Sequence, residues 1–369
     1  MKKRLSKNIE WSILVCTILL IIIGLIALFS ATQNAEYDEF KKQILWIGVS
    51  IPFVIVVTLI DYETIAKISP VFYVAMIILL VGVLFTEPIN GATSWYNLGG
   101  ASFQPAEFTK IFVIILLALV MSKMVAKGKK EISRPTRLLM LIGILAVPVL
   151  LIIKQPDYGT ALAFLVAFLA MLFVAGIDKK YIIAGILIVA ITLPVLYFFV
   201  LPDHAKQRID VFLNQDLDPR GAGYNLTQSK LAIGAGQLFG MGLLKGNQTQ
   251  LGYLSPKTTD FIYSVIGEEM GFLVAAAIIV LYVVLITKAI YVAKTAKDNL
   301  GSYIATGIAG IFLFHMTENI GMTIGLLPIT GVPLPFVSYG GSSLLCNLIM
   351  IALLLNISGR RQKAIFMEE

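Results

Sequence analysis

Residues 11–29 read WSILVCTILLIIIGLIALF, an unbroken apolar run without a charge. A helix rises 1.5 Å per residue, so this run reaches about 28 Å, close to the ~30 Å hydrocarbon core of a bilayer. It is too long for a typical signal-peptide core, and no A-x-A site follows it. It reads as an uncleaved first transmembrane helix. Lys2, Lys3, Arg4 and Lys7 precede it and set its N-terminal end in the cytoplasm.

Nine further apolar runs follow, at 44–60, 70–85, 105–122, 138–153, 160–177, 181–201, 261–287, 303–326 and 341–357. The whole chain of 369 residues is 58% hydrophobic and 14% charged, with a mean hydropathy of +0.87. Soluble domains carry roughly a quarter charged residues. The expected fold is therefore all-α: a polytopic membrane protein of about ten transmembrane helices, one integral domain over 1–369. Its net charge of +7 is read as topology rather than as nucleic-acid binding. Lys67, the group Lys123 to Arg137, Lys179–Lys180, Lys288, Lys294, Lys297, Arg360, Arg361 and Lys363 fall in the segments expected inside. The short outside loops hold only Lys41, Lys42 and Lys154. Both termini are expected in the cytoplasm. No internal repeat is visible.

The outside loop between helices 7 and 8, about 202–260, is far longer than the others. It alternates glycine with apolar residues, which suits short amphipathic or re-entrant helices at the bilayer surface. At its end, Pro256-Lys257-Thr258-Thr259-Asp260 runs straight into an apolar stretch. An aspartate there is either a helix N-cap or, shielded from water, a general base of raised pKa. The loop's cations, among them Lys206, Arg208, Arg220, Lys230 and Lys245, form either a solvated mixed-charge surface or a clamp for phosphate.

Other polar patches fall on the same face. Trp95 suits an interfacial belt. Glu107 and Lys110, spaced i,i+3 behind Gln104-Pro105, share a helix face at the start of an apolar run and point toward a polar cavity. Lys154-Gln155-Pro156-Asp157 is a tight turn or a second contribution to that cavity. Glu268, about two turns below Asp260, either lines it from beneath or is paired structurally; Glu269 and Glu318 also lie within spans. The proline-rich stretch from Pro328 to Ser343 contains Ser338 but no G-x-S-x-G, which argues against a serine hydrolase. His204 and His315 have no companion ligands and Cys16 and Cys346 no metal spacing, so no metal site is expected.

In order along the chain, Trp95 with Gln104-Pro105-x-Glu107, Gln155-Pro156-Asp157-x-Gly159-Thr160, Gly223-Tyr224, Gln228-Ser229-x-x-Ala232-Ile233-Gly234, Thr259-Asp260-Phe261-Ile262 and Asn319 through Ser343 resemble the SEDS family of cell-wall synthases (shape, elongation, division, sporulation). The resemblance covers essentially the whole chain and is nearest to the elongation branch. It implies a peptidoglycan glycosyltransferase that polymerises lipid II outside the cytoplasmic membrane and releases undecaprenyl pyrophosphate. It places the catalytic aspartate at Asp260. Trp95, Glu107, Lys110, Asp157, Arg208, Gln228, Ser229, Lys245 and Ser338 are then the expected substrate-binding residues. One departure is Gly240-Met241-Gly242, where the family carries lysine between the glycines; Lys245 is read as its stand-in. The implied partners are a class B penicillin-binding protein, docked beside the eighth and ninth spans, and the elongation machinery. No cofactor is required, and a divalent cation such as Mg²⁺ is compatible with Asp260 and a pyrophosphate. A flippase for the same lipid-linked substrate is the competing reading, with Glu268, Glu269 and Glu318 along its path.

Overall fold

The computed structural model describes residues 9–87, 92–97, 99, 102–185, 187, 197–198, 203–214, 217–218 and 221–361. Among them, nine helices are long and apolar enough to cross a membrane. They are α1 (Trp11–Ala31), α2 (Asp38–Leu59), α3 (Tyr62–Val83), α4 (Pro105–Val125), α5 (Pro135–Lys154), α6 (Tyr158–Ala175), α10 (Ile262–Thr295), α11 (Asn299–Thr323) and α12 (Gly341–Gly359). The long loop contributes α7 (Asp203–Leu213), α8 (Ala222–Ala235) and the single turn α9 (Asn247–Gln250). A minimal hairpin of β1 (Tyr96–Asn97) and β2 (Ser102–Phe103) pairs Tyr96 with Phe103 just before α4.

The start of α1 and the end of α12 meet at one end of the bundle. Glu10 N–H donates to Ser358 Oγ at 3.3 Å, and Arg361 reaches the Glu10 carboxylate at 3.4 Å. At the terminal end, Asp178 N–H donates to Ser133 Oγ at 3.0 Å, whereas Arg208 lies at the far end, in the cleft described below. The seventh expected span, 181–201, lies between these two positions in sequence and for the most part outside the described residues.

α11 and α12 form the most enclosed part of the bundle, and α2 and α3 its most lipid-facing part. Small residues allow the tight packing. A Cβ on Gly307 would sit 2.7 Å from Ile114 Cγ2, and one on Gly310 3.0 Å from Ala167 Cα, so α11 presses on α4 and α6 where side chains are absent.

Two boundaries differ most from the hydropathy reading. α3 begins at Tyr62 rather than at 70, with Asp61 accepting the Glu63 N–H at 3.0 Å as its cap; Lys67 is thus on the helix, not in a loop. α10 continues past 287 to Thr295 and carries Lys288, which pairs with Glu10 at 2.9 Å. Long lysine stems lie along a helix while their heads reach the polar layer. The onset of charge therefore does not mark the helix end.

α10 is broken at Gly271 (φ 80°, ψ −179°). The loop segment after α8 closes the gap. Met241 and Gly242 N–H groups donate to the carbonyls of Glu268 and Glu269, and Phe272 and Leu273 N–H groups donate to the carbonyls of Gln237 and Leu238, at 2.8–3.2 Å. Gly240 lies so close that a Cβ there would be 2.2 Å from the Glu269 carbonyl oxygen. This satisfies backbone groups that hydrocarbon could not. It lies about 14 Å along the axis from the start of α10. The long loop thus re-enters the bundle instead of only lying on its surface.

Candidate active site

Six segments at the end opposite the termini surround a cleft of about 380 Å³. The hairpin region supplies Trp95, the entry to α4 supplies Gln104 and Glu107, and the α5–α6 turn supplies Asp157. α7 supplies Arg208, the approach to α10 supplies Asp260, and the α11–α12 loop supplies Thr330 and Gly331.

Asp260 is held by its backbone. Asn319, from α11, donates its Nδ2 to the Asp260 carbonyl at 3.0 Å and to the Val332 carbonyl at 2.8 Å. On the other flank Ser338 Oγ donates to the Thr259 carbonyl (2.7 Å) and accepts the Leu334 N–H (2.8 Å), while Tyr339 N–H donates to the Thr258 carbonyl (2.9 Å). Gln43 of α2, buried in the bundle, grips the same loop through the Ser338 carbonyl and the Gly340 N–H at 3.3 and 3.2 Å. The N-cap of α10 is Phe261 and no side chain caps that helix, so Asp260 does not act as the cap. Its half-buried side chain is left to the cleft. Burial raises its carboxyl to about 6; a hydrogen bond from Thr259 and the charge of Arg208 oppose this, and the Asp157 charge adds to it.

Asp157 has both oxygens committed. Oδ1 accepts the Thr160 N–H (3.0 Å), capping α6, and Oδ2 accepts from Gln104 Nε2 (3.2 Å). Burial pushes its pKa up and the Thr160 bonds pull it back. The turn is thus a cap and a cleft wall at once.

Beneath the floor, Lys110 is fully buried and donates to Glu107 Oε1 at 2.8 Å. Its Nζ also lies 3.3 Å from His315 Nε2, and His315 Nδ1 lies 3.1 Å from the Pro333 carbonyl. An ammonium has no lone pair, so Nε2 accepts and Nδ1 carries the proton donated to Pro333. The chain Glu107–Lys110–His315–Pro333 ties α4 to α11 and to the cleft lip. Glu107 Oε2 is buried without a partner, on a residue that lines the cleft.

Arg208 is exposed, with Nη1 3.4 Å from the carbonyls of Ile329 and Thr330. It belongs to the cleft lining. Arg220 lies outside the described residues.

The structure does not bring every expected residue to the cleft. Lys110 and Ser338 lie behind its wall as supports. Ser229 is buried on α8, 2.6 Å from Ser264 Oγ and donating to the Thr323 carbonyl at 2.7 Å; it fastens α8 to α10 and α11. Gln228, beside it, and the exposed Lys245 lie off the lining. For Glu268 the structure takes the second of the two readings, structural pairing. Its oxygens accept from Gln248 N–H, Thr249 N–H and Thr249 Oγ1 at 2.7–3.0 Å, so it anchors α9 instead of lining the cleft. Glu269 does likewise, accepting from Gly246 N–H at 3.3 Å and Gln250 Nε2 at 2.8 Å. Gln43 was not singled out by sequence. A lone amide beside an apolar run was the available signal.

One carboxylate poised near neutrality, one facing guanidinium and one unsatisfied buried oxygen suit proton abstraction from a hydroxyl with neutralisation of an anionic leaving group. The arrangement defines a class: polytopic membrane proteins with an acid-bearing cleft at one end of the bundle. A family model described as "Cell cycle protein", for the FtsW, RodA and SpoVE proteins, matches residues 10–363, and this chain belongs to that family. It is 33% identical over 356 residues to the peptidoglycan glycosyltransferase MrdB of Escherichia coli K12, covering 96% of this chain and 95% of that one. To the peptidoglycan glycosyltransferase RodA of Treponema pallidum it is 30% identical, covering 98% and 100%. Its fold matches that of RodA from Thermus thermophilus, with a TM-score of 0.72 at 24% identity over 96% of this chain and 98% of that one. It also matches a chain from a structure described as a peptidoglycan synthase complex coordinating polymerization and crosslinking, with a TM-score of 0.82 at 24% identity over 95% and 97%.

Proposed function

We infer that this chain is a peptidoglycan glycosyltransferase, and that it polymerises lipid II with Asp260 as general base. The observation that carries the residue assignment is the position of Asp260: fixed through its backbone, half-buried, open to the cleft and raised to about 6. A base of that pKa is deprotonated at neutral pH yet basic enough to take a proton as a bond forms. Asp260 removes the proton from the 4-hydroxyl of the acceptor GlcNAc. That oxygen forms a bond to the anomeric carbon of the donor, with inversion, and the bond to undecaprenyl pyrophosphate breaks. Arg208, on the cleft lining, offers guanidinium donors to the departing diphosphate. Glu107 positions Lys110 at the base of the cleft, and Trp95 walls the cleft.

A divalent cation fits this cleft in one form. Mg²⁺ is commonly held by one or two carboxylates together with substrate phosphates. Asp260 would be its protein ligand, and the ion would supply further charge neutralisation for the diphosphate. Among the described residues no group of three or more acidic, histidine or cysteine side chains is placed to hold a metal by itself.

The cleft lies at the end away from the lysine-rich termini, which supports an outside-facing site and cytoplasmic ends. A class B penicillin-binding protein fits as partner through a single helix beside α10 and α11. Phe272, Leu273, Val280 and Val283 present an exposed apolar face on α10. The flippase reading loses two of its candidate path residues, since Glu268 and Glu269 anchor the loop. The test uses proteoliposomes holding the chain and its transpeptidase, given labelled lipid II. Glycan polymer is the expected product. Labelled lipid appearing in the opposite leaflet with no polymer would overturn the assignment.

A further inference from the structure

A second cavity, about 520 Å³, opens at the other end of the bundle, between the start of α3, the end of α4 and the start of α11. Its charged lining is Glu63, Lys67, Lys123 and Asp298. The two acids are already engaged. Glu63 pairs with Lys297 at 2.9 Å. Asp298 accepts from Tyr62 Oη and from the Gly301 N–H, both at 2.8 Å, and so caps α11. Among the described residues the two lysines have no ionic partner, and both are exposed and line this opening. With Lys297 counted, the five groups sum to +1, and the lining charges left without an ionic partner among the described residues are the Lys67 and Lys123 ammonium groups. Such a lining calls for an acceptor-rich anion, and a phosphodiester provides one.

The surroundings identify its source. Pro70 and Leu119 line the cavity. Directly beyond them α3 turns Ile68, Val71 and Phe72 outward, with Val71 72% exposed. That face meets acyl chains, so the cavity sits where a headgroup would lie above them. The volume is in the range of small-ligand sites.

We propose that this cavity binds the headgroup of an anionic glycerophospholipid, its phosphate held between Lys67 and Lys123 and its acyl chains lying along α3. Basic pockets between transmembrane helices bind such headgroups, and each lysine near the surface contributes about fivefold to affinity. The site is remote from the cleft and independent of the reaction assigned there.

The experiment is native mass spectrometry of the purified full-length chain, exchanged with phosphatidylglycerol, phosphatidylcholine or glycerol-3-phosphate. Wild type retains phosphatidylglycerol over phosphatidylcholine, and glycerol-3-phosphate does not displace it. The double variant Lys67→Ala/Lys123→Ala loses about 30-fold in phosphatidylglycerol retention. Lys127→Ala/Lys294→Ala, which removes two exposed charges outside the lining, retains it, as does Asp260→Asn. Size-exclusion profiles like that of wild type establish that the variants are folded. Equal retention of the two lipids, equal losses in both double variants, no loss in the first, or displacement by glycerol-3-phosphate would each overturn the proposal.

Discussion

Asp260 and Glu268 lie eight residues apart, and neither carboxylate is freely exposed, yet they stand in opposite chemical situations. Glu268 faces backbone amides: every oxygen is filled by the turn 246–249, and the acid is a structural joint. Asp260 has its backbone filled and its carboxylate left to a cleft. Burial by itself therefore does not mark a working acid. What separates the two is whether the donors around them belong to the protein or are left for a substrate to bring.

The comparison breaks most readily at Asp260. Asp260→Asn keeps shape and loses basicity. It lowers glycan synthesis by about 10²–10⁴-fold, with thermal stability close to wild type. A variant that melts much earlier would make Asp260 a joint like Glu268. Glu107 comes next, because it holds features of both. Glu107→Ala strands Lys110 as a buried charge and costs about 3–5 kcal/mol of stability, while Glu107→Gln with Lys110→Met recovers much of it. Denaturation of both variants measures this. The smallest effect falls on Glu268. Glu268→Gln puts an amide N–H against donors and costs about 1–3 kcal/mol. Synthesis per folded molecule stays at the wild-type level. If stability is unchanged and synthesis falls, Glu268 belongs to the site after all.

These differences bear on what could be read from the chain alone. Spans were legible because a run such as 11–29 has no other stable home than a bilayer. Their ends were less so. Lys67 and Lys288 look like loop residues, but the helices beneath them continue while their stems snorkel. At the site, the polar residues of one face announced themselves, and Trp95, Glu107, Asp157, Arg208 and Asp260 do converge on one cleft. The role of Glu268 was open because two of its three partners are backbone N–H groups, which no residue type signals. The same holds for Ser229, whose acceptor is the Thr323 carbonyl. The Gly271 break and the loop that fills it are likewise a matter of backbone pairing, visible only once both strands of chain are in place.

The central claim is that a cleft carboxylate with a pKa of about 6 removes the acceptor proton. It is tested most directly by the pH dependence of kcat/KM for glycan synthesis by the wild-type chain with its transpeptidase. The base is active when deprotonated, so the rate is level above about pH 7 and falls tenfold per unit below a midpoint near 6. A profile that stays flat down to pH 5 would contradict the assignment of Asp260 as the base.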